Sequence, residues 1–430
     1  MPETTDISEK KFKVSNLSYR YLMDPKKLSG IFLGSFVVFS VLDSNGLPLL
    51  RIILLVGFIF FAYKHTIKNN MSVTYWILVS LILFLSTIAL IRGYIVYGKL
   101  AFFESKLILG YFAVFSFMIL FINSTQVKII ETSILIGSIL LSIYFFYMFL
   151  CLMNHNPICL GDFLKQNYTL SSYEGRIKLY ANNISIFTFL FPFVLVKSIL
   201  KDGSQRLNLF ALFLTGLSTF ISLRRGVILS GICGLIITIA IISFKERKMI
   251  KRILLVVLLL FVLLTTYFSI STAKFDQYKK EILSSFDFNK NHSNLVRHEQ
   301  FNFFMEKIKN KPLFGYGLGA HDENYVRNKN NPADFELGYF KMIYAGGLTV
   351  FVANFILFLW VFNKARILIN RSKYLAKKIA PTLAGWLSLV IYHASNPIFS
   401  QFSYLLFYFY LFYLINVFNN MQIEDYQIQS

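Results

Sequence analysis

Long apolar runs constrain this chain more than any other feature of its sequence. Stretches of roughly 17–25 mostly apolar residues, the length that crosses a bilayer as a helix, recur along the chain. Of the 430 residues, 56% are hydrophobic and only 15% are charged, whereas a soluble domain carries about 25% charged residues. We therefore predict an all-α polytopic membrane protein, and this composition disfavours a soluble helical core.

The apolar pattern predicts about twelve transmembrane helices. Their predicted positions are roughly 29–42, 47–63, 72–91, 106–124, 130–153, 183–200, 207–222, 226–244, 253–271, 337–362, 379–395 and 400–419. Spans 1–9 thus occupy 29–271, and spans 10–12 occupy 337–419.

Lys and Arg predict the orientation, because short cytoplasmic segments are enriched in these residues. The N-terminal tail (residues 1–28), "KERKMIKR" at 245–252 and "NKARILINRSKYLAKK" at 363–378 are dense in basic residues. An even number of spans places all of them, and the C-terminal tail 420–430, in the cytoplasm. The first thirty residues contain no apolar stretch, so we expect no cleavable signal peptide.

Two longer polar segments then lie on the other side of the membrane. One is about 154–182, and the larger is 272–336, which holds 9 of the 22 acidic residues. Such a concentration of charge indicates a water-exposed loop or small subdomain between spans 9 and 10. No internal repeat is visible, which weakens a transporter built from repeated halves.

The net charge of +21 favours contact with a bilayer over contact with nucleic acid, because the basic residues are scattered between spans. The three cysteines, Cys151, Cys159 and Cys233, form no disulfide framework. Buried or idle thiols are the main interpretation, and a Cys151–Cys159 pair stays open. The sequence has no clustered Asp/His set that predicts a metal site.

Arginines outside the cytoplasm run against the sidedness rule, and charge at such depth is costly. They are Arg92, Arg176, Arg224, Arg225 and Arg297. Each could bind a negatively charged ligand or could extend to lipid phosphates. The group as a whole favours a ligand.

"SLRRGVILSG" (222–231) interrupts a long apolar run with two arginines and a glycine. Arginines at a helix start are poorly matched to the positive end of the helix dipole, and a bound anion would resolve the mismatch. A tight turn is the alternative. We expect Arg225, which precedes the glycine, to matter more than Arg224, the candidate lipid-facing neighbour.

"YEGRIKLYANN" (173–183) precedes a span in a similar way, with Arg176 and helix-capping asparagines.

"SNLVRHEQFNFFMEKIKNKP" (293–312) predicts an amphipathic helix that ends at Pro312, with Arg297 on its apolar stripe. "PLFGYGLGA" follows, with Gly315, Gly317 and Gly319. It is neither a dinucleotide fingerprint nor a phosphate-binding P-loop. The glycines would let the backbone turn sharply and approach a bulky ligand closely; a plain turn is the alternative.

These elements, in this order, resemble the O-antigen polymerase and O-antigen ligase superfamily of bacterial envelope membrane proteins. The resemblance covers roughly 173–348 and rests on "GRIKLYANN", "SLRRG", the Arg297 helix, "PLFGYGLG" and "ELGYFKMIYAGGL". Many members, notably ligases, carry His-Asn where this chain has Glu336 and Leu337. That difference favours a polymerase over a ligase.

The resemblance implies a GT-C-like glycosyltransferase of the bacterial inner membrane, with its active site facing the periplasm. Its substrates would be undecaprenyl-pyrophosphate-linked oligosaccharides, which it would polymerise without metal or cofactor, and a chain-length regulator protein is a possible partner. A ligase acting on lipid A core and a non-enzymatic flippase are the alternatives. The long 272–336 segment argues against the flippase.

The resemblance and the chemistry together assign roles to individual residues. A base can take the proton of an acceptor hydroxyl, and Glu336 is the first candidate for that role, with His321 the second. An ion pair of Glu336 with Lys341 or an arginine is the structural alternative. The five arginines would stabilise the pyrophosphate leaving group. Tyr316, Tyr325 and Tyr339 are the candidate sugar-contacting residues, with packing as the alternative for the loop tyrosines.

Overall fold

The structure is a computed structural model. The structure describes residues 24–42, 48–66, 72–153, 168–173, 176–181, 184–222, 224–243, 292–323, 325–326 and 331–419. The predicted ninth span (253–271) and the first part of the predicted loop, 272–291, lie outside these residues.

The first half of the chain forms helices that follow the apolar runs. They are α1 (Pro25–Leu42), α2 (Pro48–Thr66), α3 (Val73–Tyr97), α4 (Lys99–Ser105), α5 (Tyr111–Met118) and α6 (Ser124–Met153). A π-helical turn, Lys106–Gly110, joins α4 to α5, and a 3₁₀ turn, Ile119–Phe121, ends α5. The segment 99–121 therefore acts as one span with a local change of helical pitch.

The second half continues the same pattern. Its helices are α7 (Phe187–Leu200, after a 3₁₀ turn at Ile184–Ile186), α8 (Gln205–Ile221), α9 (Arg225–Ser243), α10 (His292–Asn310), α11 (Gly338–Arg371), α12 (Lys373–His393) and α13 (Phe402–Asn419, after a 3₁₀ turn at Ile398–Ser400). Each described predicted span coincides with a helical segment, and the predicted amphipathic helix is α10.

Six of the described helical segments are long and apolar enough to cross a membrane: Pro25–Leu42, Val73–Tyr97, Lys99–Phe121, Ser124–Met148, Gly338–Arg371 and Phe402–Asn419. Others, including Pro48–Tyr63, Ile184–Leu200 and Gly226–Ile242, are apolar but shorter. The chain is thus an all-α polytopic membrane protein, as predicted from the apolar runs.

One short hairpin interrupts the helical pattern, within the segment predicted as the 154–182 loop. Strand β1 (Tyr168–Tyr173) pairs antiparallel with β2 (Arg176–Ala181), and Tyr173 lies opposite Arg176. Both strands are rich in tyrosine and β-branched residues, which favour extended structure. We did not predict this hairpin, because the span pattern does not report on short polar segments.

Helix α13 is the centre of the bundle. Every residue from Ser403 to Phe418 is buried, and the helix contacts α1, α5, α6, α11 and α12. A helix that is apolar on all faces is buried by its neighbours. Trp386 of α12 stacks on Tyr408 of α13 at 5.6 Å, which joins the two helices in the core.

Charges are buried at one end of the bundle, where α7 ends and α12 begins. Lys197 pairs with Glu131 and with Asp202 (2.6 Å), and Lys378 pairs with Asp202 (2.6 Å). Two cations and two carboxylates balance each other, so none of these charges is left uncompensated, which would be strongly destabilising. The opposite end of the bundle, which we call the loop end, holds the described residues of the segment 311–337.

Candidate functional site

A break in α11 organises the loop end. Gly347 has φ 77° and ψ 178°, so the helix cannot continue its hydrogen-bond ladder there. The loop after α10 supplies the missing partners: the backbone N–H groups of Tyr316 and Gly317 donate to the carbonyls of Tyr344 and Ala345 (2.8 Å each). Irregular backbone is tolerated at membrane depth only where protein satisfies it in this way.

The break also frees donors, which the same loop accepts. The N–H of Leu348 donates to the carbonyl of Pro312 (2.8 Å), and the N–H of Thr349 donates to the carbonyl of Leu313 (3.2 Å). Loop and broken helix therefore complete each other's backbone hydrogen bonds. The loop is fixed in place by α11 rather than hanging free in solvent.

Helix α3 holds the other side of this loop. The N–H of Leu318 donates to the carbonyl of Ala89 (2.9 Å). Arg92 donates through Nη1 to the carbonyl of Phe314 and through Nη2 to the carbonyl of Gly315, both at 2.8 Å. The guanidinium that we predicted to contact pyrophosphate thus binds loop carbonyls in this structure.

The three loop glycines are required by the backbone. Gly315, Gly317 and Gly319 have φ of 65°, 102° and 78°, a region that L-residues with a Cβ rarely adopt. A Cβ on Gly317 would lie 2.4 Å from the backbone nitrogen of Gly93. The predicted sharp turns are present, and close approach to a bulky ligand stays a prediction. The glycines approach protein backbone, because the loop is packed between α3, α4 and α11.

Glu336 is the last but one residue before α11 and is held from α10 by two contacts. Nε of Arg297 lies 2.8 Å from its Oε2, and the two side chains are 34% and 16% exposed. The backbone N–H of Glu336 donates to Oε1 of the buried Gln300 (2.9 Å). The structure therefore brings together two residues that we had predicted for different roles, a base and a pyrophosphate-binding cation.

Lys341, the alternative partner that we considered for Glu336, pairs elsewhere. Its Nζ lies 2.9 Å from Oε2 of Glu104, at the end of α4, and these side chains are only 14% and 2% exposed. His393, at the end of α12, is buried nearby against Gly338. We did not predict Glu104 or His393. Each is an ionisable residue inside an apolar segment of the sequence, and such a residue is a candidate for function by default. That pattern could have identified both residues.

The tyrosines proposed for sugar contact are largely engaged in packing. Tyr325 stacks on Phe303 with ring centroids 5.0 Å apart. Tyr316 packs against Tyr344 at 5.0 Å and donates its hydroxyl to the carbonyl of Lys307. The hydroxyl of Tyr339 donates to the carbonyl of Val390 (2.7 Å). The packing alternative therefore describes these contacts.

His321, the second candidate base, lies at the edge of the same cluster. Its Nδ1 is 3.0 Å from the carbonyl of Gly319, and its ring packs against Tyr97 at 5.2 Å. Beside it, Lys307 and Asp322 form an ion pair of 2.6 Å. The hydrogen bond to Asp322 raises the pKa of Lys307, because it stabilises the charged ammonium.

Arg224, immediately before α9, points into the protein. Its Nη1 donates to Oγ of Ser185 (3.0 Å), which in turn lies 2.9 Å from the hydroxyl of Tyr392. The expectation that Arg224 faces lipid is therefore wrong; the turn between α8 and α9 directs it toward α7 and α12. The side chains of Arg225 and Arg176 lie outside the described residues.

Within the described part of the chain, no group of three or more His, Cys, Asp or Glu side chains could hold a metal ion. The site is thus made of one carboxylate held by an arginine, a buried Glu–Lys pair, and arginines that contact backbone or hydroxyl groups. Such a set can bind oxygen-bearing ligands and accept a proton.

A comparison with known protein families gives a match to the part of the chain that carries these residues. Residues 210–355 are similar to a family whose sequence model is described as O-antigen ligase. The matching segment contains Arg224, α10, the loop, Glu336 and the break in α11. No curated protein gives a match to the chain.

Proposed function

We propose that this protein is a glycosyltransferase that polymerises lipid-pyrophosphate-linked oligosaccharides into a surface polysaccharide. The observation that carries the proposal is Glu336, held at the start of α11 by Arg297 and Gln300, inside the segment similar to the O-antigen ligase family. The donor and acceptor would both be undecaprenyl-pyrophosphate-linked glycans. The reaction would take place at the periplasmic face of the bacterial inner membrane.

The chemistry of such a transfer requires a base and a stabilised leaving group. An acceptor hydroxyl oxygen forms a bond to the anomeric carbon of the donor sugar, while the bond between that carbon and the phosphate oxygen breaks. Glu336 would receive the hydroxyl proton. Arg297 contacts its carboxylate and Gln300 accepts from its backbone N–H, and such positioning is what proton transfer at a defined atom needs.

The lipid pyrophosphate leaves with additional negative charge, which cations at the loop end would stabilise. Arg224 lies at this end with Arg297 and Arg92, and α9 begins at Arg225. Arg297 would serve Glu336 first, because its Nε is already engaged there. Arg92 would act indirectly, by holding the loop through Phe314 and Gly315.

Transfer of glycan to lipid A core is the second candidate, favoured by the description of the matching family as O-antigen ligase. The residues at 336 and 337 argue against it, since they are Glu and Leu rather than the His and Asn of many ligases in the family this chain resembles. Polymerase and ligase differ in the acceptor, so only an acceptor assay distinguishes them.

The test uses purified full-length protein in detergent or nanodiscs with a lipid-pyrophosphate-linked repeat unit. A polymerase produces a ladder of longer lipid-linked glycans. Added lipid A core distinguishes the second candidate, because a ligase transfers glycan to it and produces no ladder in its absence. Failure to produce either product, with a protein that remains folded and monodisperse, would overturn the proposal. Glu336→Gln serves as the inactive control.

A further inference from the structure

A cavity lies beneath the loop, separate from the Arg297–Glu336 pair. Helix α3, the α4–α5 segment, α11 and α13 surround it, and Leu318, Gly319 and Ala320 of the loop form part of its wall. Its lining is largely apolar and includes Ile82, Leu109, Phe112, Val350, Leu405 and Tyr408. An apolar chain would be favourably accommodated against such walls, because its surface leaves water.

Polar side chains interrupt this apolar lining, among them Ser86 and Asn354. Three of them are acidic or basic: the carboxylate of Glu104, the ammonium of Lys341 and the imidazole of His393. Glu104 and Lys341 are paired at 2.9 Å, and His393 is 4% exposed. Burial of an ion pair gives weak net stability, since loss of hydration offsets the attraction between the charges. Stability alone therefore does not explain why the cavity contains these groups.

The three groups retain hydrogen-bonding capacity that a ligand could use. An ammonium has three donors, and the contact of Lys341 with Glu104 is an ion pair. The N–H of Phe399 approaches Nδ1 of His393 at 3.5 Å, while Nε2 of His393 makes no hydrogen bond within the described residues. A buried polar atom without a partner is expensive, so a ligand oxygen at this position would be stabilising.

We propose that the cavity is a lipid-binding site whose apolar walls hold a hydrocarbon chain and whose polar groups, Lys341 and His393, bind an oxygen-bearing end group. A phosphate and a hydroxyl share the required oxygen chemistry. Glu104 holds Lys341 in place when no ligand is present. This proposal does not depend on the transfer reaction above, because lipid binding can be measured without any glycosyl transfer.

The binding test uses the purified full chain and three probes: farnesyl phosphate, farnesol and inorganic phosphate. Affinity is measured by titration calorimetry or native mass spectrometry in the same detergent. We expect both farnesyl probes to bind and inorganic phosphate alone not to bind, since the chain is required. Tighter binding of farnesyl phosphate than of farnesol identifies a phosphate-binding end; equal affinities identify a hydroxyl-binding end.

Lys341→Met is the first variant. It should weaken binding of the preferred farnesyl probe by about tenfold or more, because a hydrogen-bonding group with a charge is lost. Lys106→Met removes an exposed lysine from the π-helical turn that follows α4. It is the matched control and should bind the probes like the wild type. His393→Phe keeps an aromatic ring but removes Nε2, and should also weaken binding.

Glu104→Gln gives a result that a general packing role would not produce. If the end group is phosphate, removal of the neighbouring carboxylate should tighten the binding of farnesyl phosphate and leave the affinity for farnesol unchanged. Because a lone buried charge can destabilise the fold, the double variant Glu104→Gln/Lys341→Met provides a neutral version of the pair. It should remain folded, bind farnesol and lose any preference for phosphate.

The proposal is overturned if neither farnesyl probe binds the wild-type protein. It is also overturned if inorganic phosphate alone binds as tightly as farnesyl phosphate, or if Lys341→Met and His393→Phe, both folded, bind the probes like Lys106→Met.

Discussion

Nε of Arg297 lies 2.8 Å from Oε2 of Glu336, so α10 and the start of α11 are joined by an ion pair between two residues singled out for function. The pair explains why an arginine occurs on the apolar stripe of α10. It also means that any test of Glu336 must separate its proposed role as a base from its role as a partner of Arg297.

For Glu336→Gln we expect turnover to fall by a factor of about 10²–10⁴, the usual contribution of a general base, with substrate affinity little changed. The amide retains a side chain of the same size but cannot take up the proton. Turnover and lipid-linked substrate affinity should be measured on the same preparation. The exchanged double variant Arg297→Glu/Glu336→Arg restores an ion pair but moves the carboxylate from the start of α11 to α10; substantial activity in it would assign Glu336 a structural role.

For Gly317→Ala we expect a clear loss of stability, about 1–3 kcal/mol, because φ is 102° and the new Cβ would meet the backbone of Gly93 at 2.4 Å. Thermal unfolding in detergent is the measurement. Gly110→Ala is the matched control, since Gly110 has helical φ and ψ (−59°, −51°) and open space around it. Equal melting temperatures for the two variants would contradict the packing described for the loop.

For Arg92→Met we expect faster hydrogen exchange of the loop amides, especially Tyr316, Gly317 and Leu318, because two carbonyls lose their shared partner. Arg92→Lys should give an intermediate effect, since an ammonium lacks the forked donors that reach two carbonyls at once. Exchange rates of these amides identical to the wild type in both variants would show that Arg92 does not hold the loop.

For Arg224→Ala we expect polymer formation to fall by about tenfold or more, the consequence of losing a charged hydrogen-bonding group from the loop end. The reason is the inward hydrogen bond of Arg224 to Ser185, whose hydroxyl in turn contacts that of Tyr392. Arg225→Ala and Arg176→Ala remain predicted to impair the reaction as well. Chain length by gel, normalised to inserted protein, is the measurement. Wild-type product from Arg224→Ala would contradict a role of this arginine in the reaction.

The proposed orientation is tested by cysteine labelling of intact cells, with the native cysteines replaced. Segments 245–252 and 363–378 are the basic ones, so both termini should be cytoplasmic and 272–336 periplasmic. Lys290→Cys should react with an impermeant reagent and Lys248→Cys should not. The reverse pattern would invert the topology.

The positions of the helices could be predicted from the sequence, because each span is a local apolar run and needs no distant partner to be recognised. Helix α10 and its end before Pro312 follow for the same reason: periodicity and a proline act locally. The positive φ angles at Gly315, Gly317 and Gly319 also belong to this class, since glycine alone adopts them readily.

Only the tertiary structure decided which groups meet. Arg92 and Phe314 are 222 positions apart, yet they form a hydrogen bond, and Glu336 pairs with Arg297 rather than with Lys341. The loop glycines lie against protein backbone, because a break in α11 and the adjacent helices receive the loop. Such choices depend on how helices remote in sequence pack side by side, and composition and spacing carry no record of that packing.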